Sequence, residues 1–267
     1  MIAGKALFLA LSAGIALTSC VGTTGSELFT FAAAAAGPED AVAGQPLSFS
    51  TGRGYQVTLT RAKFHLGAVY LNKAIPISGA QATSCILPGI YVAQVTQGLD
   101  VDALSPALQP FPAPGEAIAA EAIAGEVWLT GGDVNAAEDS TVVLDVAGTA
   151  EKQGETFPFE GQLSIGANRL GPVNDPAQPG AHPICKERIV SPIPVNLDVR
   201  SGGSLLVRVD PRGLFRNVDF SELDQTSDNP KLYRFKDETD GQPNVNIYRA
   251  LASREGTYEL IWNESPR

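Results

Sequence analysis

The chain has 267 residues and a formal net charge of -10, with 19 Lys and Arg residues against 29 Asp and Glu residues. Nucleic-acid binding and adhesion to anionic lipid headgroups both need clustered basic side chains, which this sequence lacks, so the composition excludes both functions. Gly (27 residues) and Pro (19 residues) are frequent, and both punctuate short strands more often than they interrupt helices.

The first twenty residues have the layout of an export signal. Lys5 supplies a positive charge, residues 6–17 form an apolar stretch interrupted only by Ser12 and Gly14, and small residues follow. A helix over residues 6–17 would rise only about 18 Å, which is short of the roughly 30 Å hydrocarbon core of a bilayer. The sequence therefore predicts a cleaved signal peptide at this position and no retained transmembrane helix.

The residues Leu17-Thr18-Ser19-Cys20 resemble the lipobox, which is the processing and acylation site of bacterial lipoproteins. The resemblance covers residues 1–21 alone. It implies that Cys20 becomes the diacylglyceryl-modified first residue of the mature chain, and that Val21 behind it favours sorting to the outer membrane. Acyl chains hold a protein at a bilayer because each buried CH₂ group contributes ~0.8 kcal/mol. An ordinary cleaved signal with an incidental cysteine is the alternative.

The lipobox resemblance divides the chain into three parts. Residues 1–19 are the expected signal peptide, residues 20–27 are the lipidated cysteine and a flexible tether, and residues 28–267 form a single β-rich domain. The expected location is the cell envelope, where the protein contacts the membrane through its lipid anchor.

Three cysteines occur in the sequence. With Cys20 assigned to lipid, Cys85 and Cys185 remain, and an even pair in an exported protein predicts a disulfide bond. In the chain-entropy model, a bridge across about 100 residues stabilises the folded state by up to ~4.7 kcal/mol.

Strand patterns begin directly after the predicted tether. Residues 28–36 fit a first strand, although their five alanines alone would favour a helix. Residues 47–49 and 55–59 flank the turn sequence Thr51-Gly52-Arg53-Gly54 and predict a hairpin.

A long, bent strand is predicted over residues 55–71. Its apolar positions change phase near Thr60 and Arg61, which indicates a β-bulge or a strand that passes between two sheets. Arg61, Lys63 and His65 are then expected on the solvent side.

Further strand patterns continue to the end of the chain. Strands are predicted at residues 90–95, 126–130, 140–146 with 157–165 as a hairpin, 191–199 with 205–209 as a second hairpin across Gly202-Gly203, and 258–262. Helical or ambiguous segments are residues 117–124 (short helix or strand), 215–223 (short helix or irregular turn) and 245–252 (two-turn helix).

The spacing of these signals, without βαβ alternation, predicts an all-β fold: an antiparallel β-sandwich or barrel-like domain with one or two short helices near the C-terminus. Residues 105–118 and 168–183 are rich in Pro, Gly and polar residues and are predicted surface loops. Long loops on a rigid sandwich often carry recognition, so these two segments are candidate binding surfaces.

Sequence motifs for catalysis are missing. The chain has only two histidines, and it contains no zinc-protease helix motif, Cys-x-x-Cys pair, phosphate-binding loop or Gly-x-Ser-x-Gly elbow. The sequence therefore predicts a protein that is not an enzyme.

The two histidines define a candidate copper site. The predicted disulfide would bring His182, which lies three residues before Cys185, towards the region that follows His65. Imidazole is a good copper ligand, and some exported copper-binding surface proteins are similar in combining two histidines with a modified tryptophan, for which Trp128 is the matching residue. Two solvated surface histidines are the alternative.

Asp133, Asn135, Glu138 and Asp139 follow a Gly-Gly turn and define a candidate calcium site. Clustered carboxylate and amide oxygens are the ligands that calcium prefers. Their spacing does not match an EF-hand, and a solvated turn is the alternative, as it is for the acidic residues 237–241.

These observations together predict an exported, membrane-tethered lipoprotein whose non-enzymatic β-domain binds a ligand or supports the cell envelope. The expected partners are the membrane, through the lipid anchor, and an envelope protein, a glycan or a small molecule; nucleic acid is excluded. No cofactor is expected. The alternatives are copper binding through His65 and His182, or a calcium-stabilised adhesion-type module.

Overall fold

The computed structural model describes residues 27–76, 89–136, 138–166, 183–238 and 240–264. Within these ranges the chain forms sixteen strands and two α-helices, of which only α2 is longer than one turn. The strands are β1 (Leu28–Ala36), β2 (Leu47–Ser50), β3 (Gln56–Leu66), β4 (Ala68–Asn72), β5 (Tyr91–Val95), β6 (Leu99–Asp102), β7 (Gln109–Pro110), β8 (Gly115–Ile118), β9 (Ala120–Trp128), β10 (Val142–Lys152), β11 (Glu155–Ser164), β12 (Ile189–Val199), β13 (Ser204–Val209), β14 (Asp224–Asp228), β15 (Lys231–Phe235) and β16 (Tyr258–Asn263). The helices are α1 (Ile184–Glu187) and α2 (Gln242–Leu251), with short 3-10 helices at Pro211–Phe215 and Phe220–Glu222.

The strands form two packed sheets. The nine-stranded sheet has the order β12-β9-β4-β5-β8-β1-β13-β16, with β7 also paired to β1. The seven-stranded sheet has the order β14-β15-β11-β10-β3-β2, with β6 also paired to β3. The end strands β12 and β16 of the larger sheet contact each other, so this sheet curls into a nearly closed barrel. The predicted all-β, barrel-like fold with few helices is confirmed.

The chain crosses between the sheets at Gly67. β3 belongs to the seven-stranded sheet and β4 to the nine-stranded sheet, and the Gly67 amide donates a hydrogen bond to the Trp128 carbonyl at 2.7 Å. The predicted phase change is also present, because the pairing of β3 with β10 skips Thr60 and forms a bulge. Downstream of it Arg61 and His65 are half-buried and Lys63 is exposed, which agrees with the predicted solvent side.

The hydrophobic core lies between the two sheets. Phe64 on β3 and Tyr258 on β16 meet edge to face across it, with ring centroids 6.4 Å apart. The two 3-10 helices contribute Phe215 and Phe220, whose rings lie 5.6 and 5.0 Å from the ring of Phe159 on β11. Aromatic side chains dominate the packing here because each buries a large apolar area.

The predicted hairpin of residues 191–199 with 205–209 is wrong in its pairing, although both strands exist. β12 pairs with β9, whereas β13 pairs in parallel with β1 and antiparallel with β16. The physical reason is that β16, the last described strand, occupies the edge of β13 with six consecutive residue pairs. The Gly202-Gly203 turn therefore redirects the chain without joining neighbouring strands.

One prediction of irregular structure is also wrong. The segment 105–118 contains β7 and β8, which pair with β1, because short runs between prolines can still hydrogen-bond along the edge of a strand. The polar residues after Leu223 form β14 and β15, for which no strand was predicted. The ambiguous residues 117–124 are strand, and the helix predicted at 245–252 is confirmed as α2.

Candidate functional site

A buried carboxylate lies on the outer face of the nine-stranded sheet, away from the core. On β9, Gly125 faces the core, because a Cβ atom there would overlap the core residue Leu260. Successive residues of a strand point to opposite faces, so Glu126 and then Trp128 occupy the outer face. Tyr70 on β4 pairs directly with Glu126 across the sheet.

Glu126 is fully buried and accepts three hydrogen bonds from side chains. The donors are Asn72 Nδ2 to Oε1 at 3.0 Å, Trp128 Nε1 to Oε2 at 3.1 Å, and the Tyr91 hydroxyl. Burial raises the pKa of Glu126, while these three hydrogen bonds and the positive charge of Lys186 on α1 act in the opposite direction. Burial outweighs them, because removing water from a carboxyl group destabilises its ionised form relative to its protonated form.

The charge of Glu126 also changes the acidity of its neighbours. Burial, followed by the negative charge of Glu126, raises the pKa of Tyr91 to about 12 and raises the pKa of Tyr70. Burial lowers the pKa of Lys186, although the charge of Glu126 opposes this shift. Both tyrosines therefore stay protonated at neutral pH, and the hydroxyl of Tyr91 remains a hydrogen-bond donor to Glu126.

Three aromatic rings form a row beside this carboxylate. The Tyr70 ring lies between those of Tyr91 and Trp128, with centroid separations of 4.8 Å on each side. Tyr91 joins the row because the β4–β5 register shifts after Leu71, which pairs Tyr91 with Asn72. Tyr91 is 40% exposed, so the row reaches solvent at this end.

The Trp128 end of the row is held by a small apolar cluster. Trp128 packs against Val134, Cys185 and Ile189, and it pairs with Ile189 across the β9–β12 ladder. Cys185 and Lys186 lie on α1, the short helix that leads into β12. The packing fixes the indole ring so that its N–H points at Glu126.

Asn72 leaves one hydrogen-bonding atom unused. Its side chain is fully buried, and its Oδ1 atom has no hydrogen-bond donor within the described part of the chain. Burying an unpaired acceptor costs about 1–3 kcal/mol, so such atoms usually have a water or ligand partner. We refer to Tyr70, Asn72, Tyr91, Glu126, Trp128 and Lys186 as the outer-face cluster.

The outer-face cluster adjoins a shallow groove of about 190 Å³ that Tyr91, Gln94, Glu116 and Ile118 help to line. Gln94 and Glu116 are joined by a hydrogen bond of 3.1 Å. The cluster and the groove together offer stacking surfaces, a carboxylate and amides. This combination can bind a ligand that has both a flat apolar face and hydroxyl or amine donors.

A larger groove of about 570 Å³ lies elsewhere, beside β13 and β16. Its charged side chains pair with one another: Arg212 binds Asp40 and Asp210, each at 2.7 Å, and Arg208 binds Glu39 at 2.6 Å. Solvent-exposed pairs of this kind contribute little, and the groove has no aromatic row.

The structure describes one of the two candidate copper ligands, His65. His65 lies on β3 opposite Asp100 on β6, and its Nδ1 atom is 2.7 Å from Asp100 Oδ1. His182 lies outside the described residues, so the copper hypothesis stays a prediction.

The candidate calcium residues serve a turn. Asp139 accepts hydrogen bonds from Thr130 Oγ1 (2.8 Å) and from the amides of Gly131 (3.1 Å) and Thr141 (2.9 Å). Burial alone would raise the pKa of Asp139, but these hydrogen bonds outweigh it and lower the pKa to about 2. Asp133 accepts from the Asn135 amide at 2.9 Å.

The same turn already contains a cation. The fully buried guanidinium of Arg188 donates to the carbonyls of Val134 (2.9 Å) and Ala136 (2.7 Å), which face inward. Glu138 is exposed, and within the described ranges no group of three or more His, Cys, Asp or Glu residues could hold a metal ion. The calcium hypothesis gains no support from this arrangement.

Cys185 is buried and disulfide-bonded. Cys20 and Cys85 lie outside the described residues, as does the predicted loop 168–183 up to residue 182. The pairing of Cys85 with Cys185 and the lipidation of Cys20 therefore stay predictions.

Sequence reasoning did not identify Glu126, Asn72, Tyr70 or Tyr91 as site residues. One signal was available: Glu126 is the single charged residue in the otherwise apolar run from Ala122 to Leu129. A charged residue is almost never fully buried unless it is paired, so its place in a buried strand marks a polar site. The contributions of Asn72 and Tyr91 depend on sheet register, which local patterns do not fix.

No family model, curated protein or solved structure matches this chain. The fold and the cluster define its class: an all-β domain of two packed sheets with a buried carboxylate beside an aromatic row. None of the helices that the structure describes is long and apolar enough to cross a bilayer.

Proposed function

We propose that this protein is an exported lipoprotein, anchored by Cys20, whose β-domain binds a glycan at the outer-face cluster without transforming it. The single observation that carries the binding proposal is the fully buried pair Glu126 and Asn72, with an unpaired Asn72 Oδ1 atom, beside a row of three aromatic rings. The anchoring proposal rests on the lipobox resemblance.

The cluster favours a sugar over the other partners because its groups match both surfaces of a sugar ring. The C–H face of a sugar is apolar and packs on aromatic rings, and its hydroxyl groups both donate and accept hydrogen bonds. Tyr91 and the groove towards Gln94 and Glu116 supply the exposed contacts. Asn72 Oδ1 faces the backbone of Gly89, where an added Cβ atom would lie 2.3 Å from it. A hydroxyl or a bridging water therefore satisfies this buried acceptor only when residue 89 moves aside.

A non-enzymatic role is favoured by the surroundings of Glu126. Glycoside hydrolysis uses two carboxyl groups across the scissile bond. The side chains that donate hydrogen bonds to Glu126 are an amide, an indole and a phenol, and the charge that acts on its pKa is the ammonium of Lys186. The carboxylate of the adjoining groove, Glu116, lies on β8, three strands from β9 and so about 14 Å away. This exceeds the roughly 5–9.5 Å that separates the two carboxyl groups of glycosidases, so Glu126 can orient a hydroxyl group but has no partner for acid–base hydrolysis in Glu116.

The binding proposal predicts that Tyr91→Ala weakens glycan binding by about tenfold, which corresponds to ~1.4 kcal/mol, because one exposed stacking surface is lost. Native mass spectrometry of protein purified from the envelope, with elemental analysis, identifies the bound molecule, and calorimetry measures its affinity. Leu108→Ser is the control, since Leu108 is exposed and lies outside the cluster and groove. A bound metal without an organic ligand, or equal affinities for both variants, would contradict glycan binding.

A further inference from the structure

One end of the nine-stranded sheet carries a line of exposed apolar side chains. Strand register places the start of β1 beside the end of β8, and β8 beside β5. The start of β5 lies beside the end of β4, which in turn lies beside the middle of β9. Five large apolar residues at this end are between 40 and 64% exposed. They are Leu28, Ile75, Ile90, Tyr91 and Ile123, and we name them the apolar rim.

The apolar rim extends across five neighbouring strands, and β8, which lies between β1 and β5, contributes only the half-buried Ile118. Leu28 pairs with Ile118, the Lys73 amide donates to the Ile90 carbonyl at 2.9 Å, and Tyr91 pairs with Asn72. Asn72 in turn pairs with Ala124, the residue after Ile123. With neighbouring strands ~4.8 Å apart, the line is about 20 Å long. Exposed apolar residues that stand singly are ordinary, whereas a contiguous line of them marks an interaction surface.

The point at which the chain enters the domain indicates which partner the apolar rim contacts. β1 begins at Leu28, so residues 1–27 enter the domain at the rim. Under the anchoring proposal, Cys20 sits in the bilayer surface, and eight residues of extended chain reach at most about 26–29 Å. The rim is therefore the part of the described domain that is tethered nearest to the lipid.

The charges and the aromatic residue of the rim fit a neutral membrane surface. Its exposed charged neighbours are Glu27, Lys73 and Glu121, which carry no excess of positive charge. Attraction to anionic headgroups is consequently not expected. The ring of Tyr91 is partly exposed while its hydroxyl donates to Glu126, so the rim presents an aromatic ring at its surface. Tyrosine is enriched at membrane–water interfaces.

We infer that the apolar rim rests on the surface of the bilayer to which Cys20 is anchored, with zwitterionic lipid as its partner. This inference rests on the proposed lipid anchor and adds the orientation of the domain. Leu28, Ile90 and Ile123 enter the interface. The groove of about 190 Å³, which Leu28 and Tyr91 both line, therefore opens at the lipid headgroups, so that the glycan bound there is one presented at the membrane surface.

The chain offers a matched control for each rim residue. Leu28, Ile90 and Ile123 are 64, 58 and 41% exposed, and Val42, Leu108 and Val142 are 63, 66 and 42% exposed. Leu108 and Val42 flank the turns at the opposite end of β1, where β7 pairs with Ala34 and Ala35. Equal exposure in the isolated chain predicts equal chemical reactivity, so that a difference on membranes reports contact with lipid.

Hydroxyl-radical footprinting of the full, acylated protein in phosphatidylcholine vesicles tests the orientation. Each modification rate is divided by the rate of the same residue in peptides of the digested protein. We expect the rim trio to be modified at least about fivefold more slowly than the control trio. Equal normalised rates for the two trios, on protein whose mass confirms acylation, would overturn the rim inference and leave the anchor intact.

A second measurement uses variants and keeps the anchor separate from the rim. The triple variant Leu28→Ser, Ile90→Ser, Ile123→Ser should expose the tether, so that a protease cleaves residues 21–27 about tenfold faster than in wild type. The control Val42→Ser, Leu108→Ser, Val142→Ser should be cleaved at the wild-type rate. Equal cleavage of both variants overturns the rim inference, and a wild-type chain without acyl mass overturns the anchor and the rim together.

Discussion

Burying the carboxylate of Glu126 carries an electrostatic cost. A carboxylate with no exposed surface loses its hydration, and three neutral donors and Lys186 replace only part of it. Asn72 serves two roles beside it, because its Nδ2 atom donates to Glu126 while its Oδ1 atom stays without a donor among the described residues. Polar residues buried at this cost are typical of binding sites.

The raised pKa of Glu126 makes stability depend on pH in a defined direction. The folded state holds the proton of Glu126 more tightly than the unfolded state does, so the stabilising contribution is complete below the ordinary glutamate pKa of 4.5 and is lost as pH rises through the raised value. The free energy of unfolding of wild type, relative to Glu126→Gln, should therefore fall between pH 4.5 and neutral pH.

Urea unfolding of both chains at pH 4.5 and pH 7.5 measures this difference. Glu116→Gln is the matched control, since Glu116 lies on the same face of the sheet and is exposed. A free energy of unfolding of wild type that rises with pH, relative to that of Glu126→Gln, would contradict the raised pKa.

At the scale of elements, the crossing from β3 to β4 joins the two sheets. The alternation of β3 buries Val57, Leu59, Phe64 and Leu66 against the core, and β4 continues in the other sheet directly after Gly67. The close approach of Gly67 to β9 leaves no room for a side chain, because a Cβ atom would overlap the Thr130 carbonyl oxygen.

Gly67→Ala should lower the free energy of unfolding by about 1–3 kcal/mol, because the backbone of Thr130 must shift to make room. Gly132→Ala is the control, because Gly132 follows β9, as Thr130 does, and nothing lies within 4 Å of a Cβ atom added there. Chemical denaturation compares the two variants with wild type. A Gly67→Ala chain as stable as the Gly132→Ala chain would show that the crossing is looser than this geometry requires.

The whole molecule has two unlike ends. The end at which β1 begins carries the apolar rim and adjoins the outer-face cluster, whereas β7 and Leu108 lie at the other end of β1. A lipid anchor at Cys20 would fix the first end against a bilayer and leave the second in water. The orientation of the outer-face cluster therefore depends on Cys20, which lies outside the described residues.

Cys20→Ser should move the protein from the membrane pellet to the soluble fraction, because the thiol that accepts the diacylglyceryl group is replaced. Cell fractionation with intact-mass measurement tests this, and Val21→Ala serves as the control that keeps the cysteine. A Cys20→Ser chain that still sediments with membranes, or a wild-type mass without acyl chains, would contradict the anchor.

Local patterns determined most of the strands, although not β7, β14 or β15, because alternation and turn residues act over a few neighbours. Examples are the alanine-rich β1, the bulge in β3, the β10–β11 hairpin and the helix α2. The sequence also determined the acidic charge, the fold class and the predicted export signal. These properties need no knowledge of which strands are neighbours.

Tertiary structure alone decided the pairing of distant strands and hence the candidate site. The Gly202-Gly203 turn does not join β12 to β13, because β16 pairs along β13. Glu126, Asn72 and Tyr91 come from β9, β4 and β5, and a register shift brings Tyr91 into the cluster. The pairing and register of distant strands depend on which strand edges are unpaired when those strands meet. The residues next to a strand in sequence do not specify this.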